Sequence, residues 1–531
     1  MLVKLGSTFL WVKVSVLHSL SIRTRIAASF VGALVLGAVV ALFSAPAAFG
    51  PGWLAAGLLL WPALLALLSA WQWAGGGRML AWLVALAFVL RLGGGIAFSL
   101  ALPVYGYDEE VQKAGYLYYD AYMRDGDAWE LASSDEPLLA SFSQEITTDQ
   151  YGGLLSISAL VYRYLSPDAH RPFLILILGA FVYALGVPFF WQAVRRRWNL
   201  ALANLVAWIL VLYPDAILYS SSQMREPFLI GLACIAFWGV LAWGRQRRGA
   251  ILAMAGGLAL MLLISSRVAV AVFGVLAVWF WFEHLAPRSG RLRLLGWAAL
   301  ALGAVALLAF SWEWLRSSSQ WDLLVTERSS GRVQYSLGEI GDLAGMVRIP
   351  FIVGYGLAQP VLPASIADPA IPLWKFIAIF RSAGWYLLAP FLLYSVFTVF
   401  KAPPQDRKVL LWLAGFVLVW LVVSSARAGG DQWDNPRYRT LFIPWLALLA
   451  GWGIRRALET RDFWLARWLV VEAIFLGFFT HWYFSRYFNA WARLPFWENV
   501  LWILGLSALV LASGWAWDLY RARRNRGAHP G

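Results

Sequence analysis

Charge is what this chain has least of. Only 14% of its 531 residues are Asp, Glu, Lys or Arg, against about 25% in ordinary soluble proteins. That shortage excludes a water-soluble globule, and it excludes disorder, which needs high charge and few apolar side chains. There is one cysteine, Cys234, so an intrachain disulfide and a cysteine-based zinc cluster are both excluded. Histidine is scarce too: His284 and His481 fall near separate span ends and make no cluster. No cleavable signal peptide is expected. Lys4, Lys13, Arg23 and Arg25 occupy the first 26 residues, and no small-residue cleavage site follows a short apolar region.

What is abundant is apolar and aromatic. Hydrophobic residues make up 61% of the chain, with 33 Trp and 32 Phe, as expected where rings settle at the headgroup level of a bilayer. The sequence therefore predicts an all-α polytopic membrane protein. A span needs roughly 17–25 mostly apolar residues. Fourteen candidates meet that length (12–14 allowing for the weaker ones): 27–45, 53–74, 79–102, 172–193, 198–219, 227–244, 249–264, 268–283, 294–312, 383–400, 409–426, 440–457, 463–484 and 498–518. Orientation comes from Lys and Arg in short loops. With the N-terminus inside, the inside segments hold 24 of the 43 basic residues, among them Arg195–Arg197, Arg455, Arg456 and the tail from Arg521. Few acids share those segments. The net charge of +14 is thus a topology signal, and nucleic acid is not an expected partner. Both termini are expected in the cytoplasm, with the chain in the plasma (inner) membrane.

Two outside loops are long, 103–171 and 313–382, and loops beyond about 12–15 residues are usually functional or disordered. The first carries an amphipathic or re-entrant helix near 150–165, too short to span. It opens with Tyr107-Asp108-Glu109-Glu110 directly after a span ends. A carboxylate there could act as a general base toward a hydroxyl, or hold a divalent cation through oxygen. Asp108 and Glu109 follow Arg91 and Gly93-Gly94-Gly95, and precede Tyr116 to Tyr122. Further along come Tyr151-Gly152-Gly153, Pro214, Arg225-Glu226-Pro227, Ser265-Ser266-Arg267 and Pro436-Arg437-Tyr438-Arg439.

Taken in order, these elements resemble the C-type (GT-C) glycosyltransferase superfamily, polytopic enzymes that use polyprenyl-phosphate-linked sugars. Protein O-mannosyltransferases and the aminoarabinose transferase of lipid A are members. The resemblance covers 79–457. It leaves an N-terminal region, 1–78, with two extra spans, and a C-terminal region, 458–531, of spans and a basic tail. It implies a GT-C-like fold in which both outside loops carry short helices. It also implies an inverting transfer at the extracytoplasmic face, onto a glycan, lipid or protein acceptor, in building the cell envelope. Asp108 is the implied base, and Glu109 is its alternate, an orienting group or a metal ligand. Arg225, Glu226, Arg267, Arg437 and Arg439 are the candidates for holding substrate and phosphate, since a planar guanidinium binds two phosphate oxygens at once. Arg225 and Glu226 also flank a helix start, whose dipole favours anions.

Plainer roles exist for the same residues. Arg267 could snorkel to headgroups, and Glu226-Pro227 is an ordinary helix start. Arg91 is expected to snorkel or to pair with a loop acid. Arg467 and Glu472 need partners elsewhere in the bundle. Two other functions fit the span count: an oligosaccharide polymerase or ligase, which would use the late loop 313–382, and a lipid or sugar transporter (flippase), which would line the bilayer midplane with polar residues.

Overall fold

Apolar segments in a bilayer must satisfy every backbone polar group internally, and the helix does so within one segment. The computed structural model describes residues 20–44, 46–143, 149, 151–285, 290, 298, 344–428 and 431–527, and all of its regular structure is helical. The first helices are α1 (Ile22–Ser44), α2 (Phe49–Trp73) and α3 (Arg78–Tyr105). The first long loop carries α4 (Glu110–Lys113), α5 (Tyr119–Ser133) and α6 (Gly153–Leu165). Then follow α7 (Phe173–Arg197), α8 (Leu200–Leu212), α9 (Pro214–Ser220), α10 (Glu226–Ala242), α11 (Arg247–Ile264) and α12 (Ser266–Phe280). After the second loop come α13 (Ala344–Ala358), α14 (Leu362–Ala367), α15 (Pro372–Thr398) and α16 (Pro404–Arg427). The chain closes with α17 (Asp434–Thr440), α18 (Ile443–Thr460), α19 (Phe463–Tyr487) and α20 (Phe496–Gly527).

Ten of these helices are long and apolar enough to cross a membrane, and twelve if two bent pairs each count as one span. The pairs are α8 with α9, bent by 52°, and α17 with α18, bent by 74°. Proline accounts for the first break: Pro214 opens α9 without an N–H to give back to α8. The candidate span 227–244 corresponds to α10, whose 17 residues sit at the lower bound of about 17 for crossing. The candidate 294–312, but for residue 298, and the first part of loop 313–382, up to residue 343, lie outside the described residues. The helix anticipated at 150–165 is α6. The span anticipated at 383–400 begins eleven residues earlier, at Pro372, so the end of the second loop is helical.

Burial sorts the helices into centre and rim. α7 is 72% buried along its apolar window, and it packs against α2, α3, α8 and α10. Its crossing with α10 is close because two glycines meet: a Cβ on Gly186 would lie 2.8 Å from Gly231 Cα. α19 is only 6% buried, and rim helices turn Phe30, Leu54, Trp82, Leu387 and Leu501 outward, as a lipid-facing surface requires. α1 and α2 form a hairpin laid on α7. α19 and α20 are clamped by Arg467, which donates to both oxygens of Asp518 at 2.6 and 2.9 Å. That supplies the partner Arg467 was expected to need.

The two ends of the bundle differ chemically. At one end Arg197 joins Glu283 (2.6 Å) and Asp406 (2.7 Å), tying the end of α7 to the segment after α12 and the start of α16. The opposite end holds the first long loop, α9, and the starts of α10, α15 and α17. Every site candidate from the sequence lies there.

Candidate functional site

The acid pair sits on a tight turn. α3 ends at Tyr105, and Gly106 follows where a Cβ would collide with the Gln112 carboxamide. Gln112, 5% exposed, organises what comes next. Its Oε1 accepts from the Tyr107 amide (2.6 Å) and from Trp374 Nε1 (2.8 Å), and its Nε2 donates to Glu109 Oε2 (3.3 Å). One carboxamide therefore joins the acid turn to the start of α15. Asp108 itself points outward, with its side chain 89% exposed and ion-paired to Lys113. The Lys113 ammonium hydrogen-bonded to it holds the Asp108 carboxyl below its ordinary range. An open cleft of about 440 Å³ adjoins the turn, lined by Val104, Tyr105, Gly106, Ile371, Pro372 and Leu373.

The arginines gather around the start of α5. Arg437, on α17, donates to Glu226 Oε1 at 2.6 Å and to Asp120 Oδ2 at 2.8 Å. Glu226 opens α10 and is buried. The neighbouring Arg225 lies over the Tyr151 ring, with Asp149 Oδ1 at 3.6 Å. Asp149 is itself spent on local structure, accepting from the Leu155 amide of α6 at 3.2 Å. Gly152, at φ +70, makes the left-handed turn that brings α6 into that position. Arg124 is buried one turn after Asp120 and donates to the Gln223 carbonyl. Asp120 also feels the charges of Arg124 and Arg225. Burial works against its ionisation, but the Arg437 hydrogen bond and charge prevail and leave its carboxyl below the usual range.

α5 is fixed by a separate knot. Asp125 accepts from Tyr116 Oη (2.6 Å) and Tyr162 Oη (2.5 Å), and contacts His170 Nε2 (2.9 Å). Beneath the arginine cluster, Arg381 of α15 donates to Asp215 of α9 at 2.6 Å and lies 4.0 Å over the Trp433 ring. Tyr118 stacks on Tyr219 at 5.1 Å between the two ion groups.

Set against the sequence reading, the structure brings Arg225, Glu226 and Arg437 together and leaves two candidates apart. Arg439, two residues along α17, faces the other way. It is buried over Trp385 at 3.5 Å and donates to the Gln359 carbonyl at 2.8 Å. Arg267 is exposed at the tip between α11 and α12 and makes no ion pair among the described residues. Arg91 departs from expectation. It neither snorkels nor pairs with an acid, but is fully buried, donating to the Val211 carbonyl and lying 3.5 Å over Tyr183. Asp108 and Glu109 do not fit a metal ion as arranged: Lys113 holds one, Gln112 the other, and no group of three ligating side chains occurs among the described residues.

Sequence reasoning passed over Arg124, Asp120, Asp149 and Arg381 as members of the site. One signal was available: Asp120 and Arg124 are four apart, on one face of a helix. The pairing of Arg381 with Asp215, 166 positions away, had none. No protein-family model matches the chain, and no curated protein matches it.

Proposed function

We propose that this protein is a membrane glycosyltransferase that moves a sugar from a polyprenyl-phosphate-linked donor to a glycan, lipid or protein acceptor at the extracytoplasmic face. The observation that carries the reading is the meeting of Arg225, Glu226 and Arg437 with Arg124 and Asp120, at the same end of the bundle as the acid turn. A lipid-linked donor needs both functions at one membrane surface, because its tail stays in the bilayer. The excess of Lys and Arg in the loops of the opposite end supports an extracytoplasmic position for this one.

The chemistry follows from the parts. The acceptor hydroxyl oxygen attacks the anomeric carbon, and the bond from that carbon to the phosphate oxygen breaks. The proton passes to the Asp108 carboxylate, with Glu109 beside it as the alternate acceptor. The leaving phosphate takes the electron pair, and its charge is steadied by Arg225 and Arg437. Asp108 is ionised at neutral pH, so it is ready to accept once Lys113 turns aside. Gln112 holds Glu109 and the turn in register with α15.

The test is sugar transfer in membranes carrying Asp108→Asn, Glu109→Gln or both, at matched protein level. Loss of transfer in Asp108→Asn is expected. Full activity in both single variants would remove the proposed base. Sizing the product separates the enzyme classes: one sugar added per acceptor fits this reading, whereas a lengthening chain fits a polymerase.

A further inference from the structure

Arg437 has two partners of different kinds. Glu226 is the inner one, its side chain only 4% exposed, at 2.6 Å from Nε. Asp120 is the outer one, 50% exposed, at 2.8 Å from Nη1. Around them the hydrogen bonding is incomplete. Arg225 Nη1, Glu226 Oε2 and Tyr118 Oη are all buried without a hydrogen-bond partner among the described residues. A buried polar atom left unpaired is costly, so these atoms mark a place suited to another polar group. Charge adds a constraint. Arg124, Arg225 and Arg437 face Asp120, Asp149 and Glu226, three against three. An anion entering beside these three cations and three carboxylates would leave an excess of negative charge, unless one carboxylate leaves.

We propose that Asp120 is an exchangeable stand-in for the ligand: a phosphodiester carrying one negative charge displaces it from Arg437 Nη1 and accepts from Arg225 Nη1, which is 3.6 Å from Asp149 and makes no hydrogen bond among the described residues. Carboxylate and phosphate oxygens compete for the same guanidinium edge, and Asp120 is the partner placed to yield, since Glu226 has nowhere to go. The exchange keeps the count at three against three. A diphosphate would add a charge that the cluster does not balance, so the seat favours a single phosphate between carrier and sugar. The inference rests on the reading of this cluster as a phosphate seat, and adds to it which residue moves and which phosphate class fits. No covalent step is involved.

The experiment measures binding alone, on the purified full chain in detergent, with two probes. Dimethyl phosphate, followed by phosphorus NMR, represents a free ester. Phosphatidylglycerol in phosphatidylcholine vesicles, followed by co-sedimentation, represents a lipid-borne one. Removing a half-exposed competing ion pair is worth at most about 1 kcal/mol, so Asp120→Asn is expected to tighten binding by up to about fivefold. Asp120→Glu, which restores the competing charge, should return binding toward wild type. The paired change Arg437→Gln with Glu226→Gln, which leaves no buried charge alone, should abolish the gain. A gain with both probes upholds a seat open to soluble esters, and a gain with vesicles only upholds a lipid-borne ligand. Unchanged or weaker binding of both probes by Asp120→Asn overturns the proposal. Sugar transfer is not part of this readout, so loss of the enzymatic reading and loss of the exchange would be seen separately.

Discussion

Breaking the Asp215–Arg381 pair is the sharpest test of how the site is supported. The two side chains are 0% and 2% exposed, and they join α9 to α15 beneath the arginine cluster. Arg381 has neutral contacts besides: Nη2 donates to Tyr219 Oη at 3.3 Å and to the Gln432 carbonyl at 3.2 Å. Asp215→Asn leaves the guanidinium buried with only those contacts, and the expected loss is about 3–5 kcal/mol. Arg381→Met strands a carboxylate whose Oδ2 already lacks a partner among the described residues, and a loss of similar size, about 3–5 kcal/mol, is expected. Combining the two removes both charges. What then remains is the loss of the neutral hydrogen bonds and the Trp433 contact, about 1–3 kcal/mol together. The singles therefore should not add: their sum, about 6–10 kcal/mol, should exceed the loss in the double by at least about 3 kcal/mol. Unfolding by denaturing detergent, with folded protein followed by tryptophan fluorescence, gives all four corners of the cycle. Additivity to within about 0.5 kcal/mol would refute the argument that each charge depends on the other.

Three further outcomes follow from the geometry. Gln112→Leu removes three hydrogen bonds at about 0.5–1.5 kcal/mol each; it should cut transfer, and unchanged transfer at matched protein level would count against the latch. Gly186→Ala sets a methyl against Gly231 and should cost about 1–3 kcal/mol, read as a lower melting temperature in detergent. The pH dependence has a definite sign. Asp108 and Asp120 are both held below the ordinary Asp value by Lys113 and Arg437 respectively. Their ion pairs are therefore intact above about pH 4 and are lost only as pH falls through the lowered values. The transfer rate should show no acid limb from these groups between about pH 5 and 8, and a limb near neutrality would assign the base elsewhere.

Span positions were legible because a bilayer demands about 20 apolar residues per crossing, and that demand is local. Thirteen of the fourteen candidates fall on described helices, α11 and α12 among them although only Ser265, Ser266 and Arg267 separate the two stretches. The breaks were less legible. Pro214 opens α9 and Pro444 stands in the first turn of α18, yet neither proline announces the size of the bend, and at the second one Trp420 and Trp445 pack on Phe442 where the chain turns. Arg91 was misread because no local pattern announces its partners: it lies midway along α3, where the Val211 carbonyl of α8 and the face of Tyr183 accept it inside the bundle.

Composition and local apolar runs were enough to establish a polytopic helical chain and a shortlist of polar residues at one end. These depend on composition and on neighbours along the chain, so they can be read without a fold. Which of those residues meet depends on how the helices pack. Arg437 reaches Glu226 across 211 positions and Asp120 across 317, while Arg439, two residues from Arg437, is turned into the bundle. The direction of a helix face and the placement of a short helix after a break settle those partners, and no spacing in the sequence encodes them.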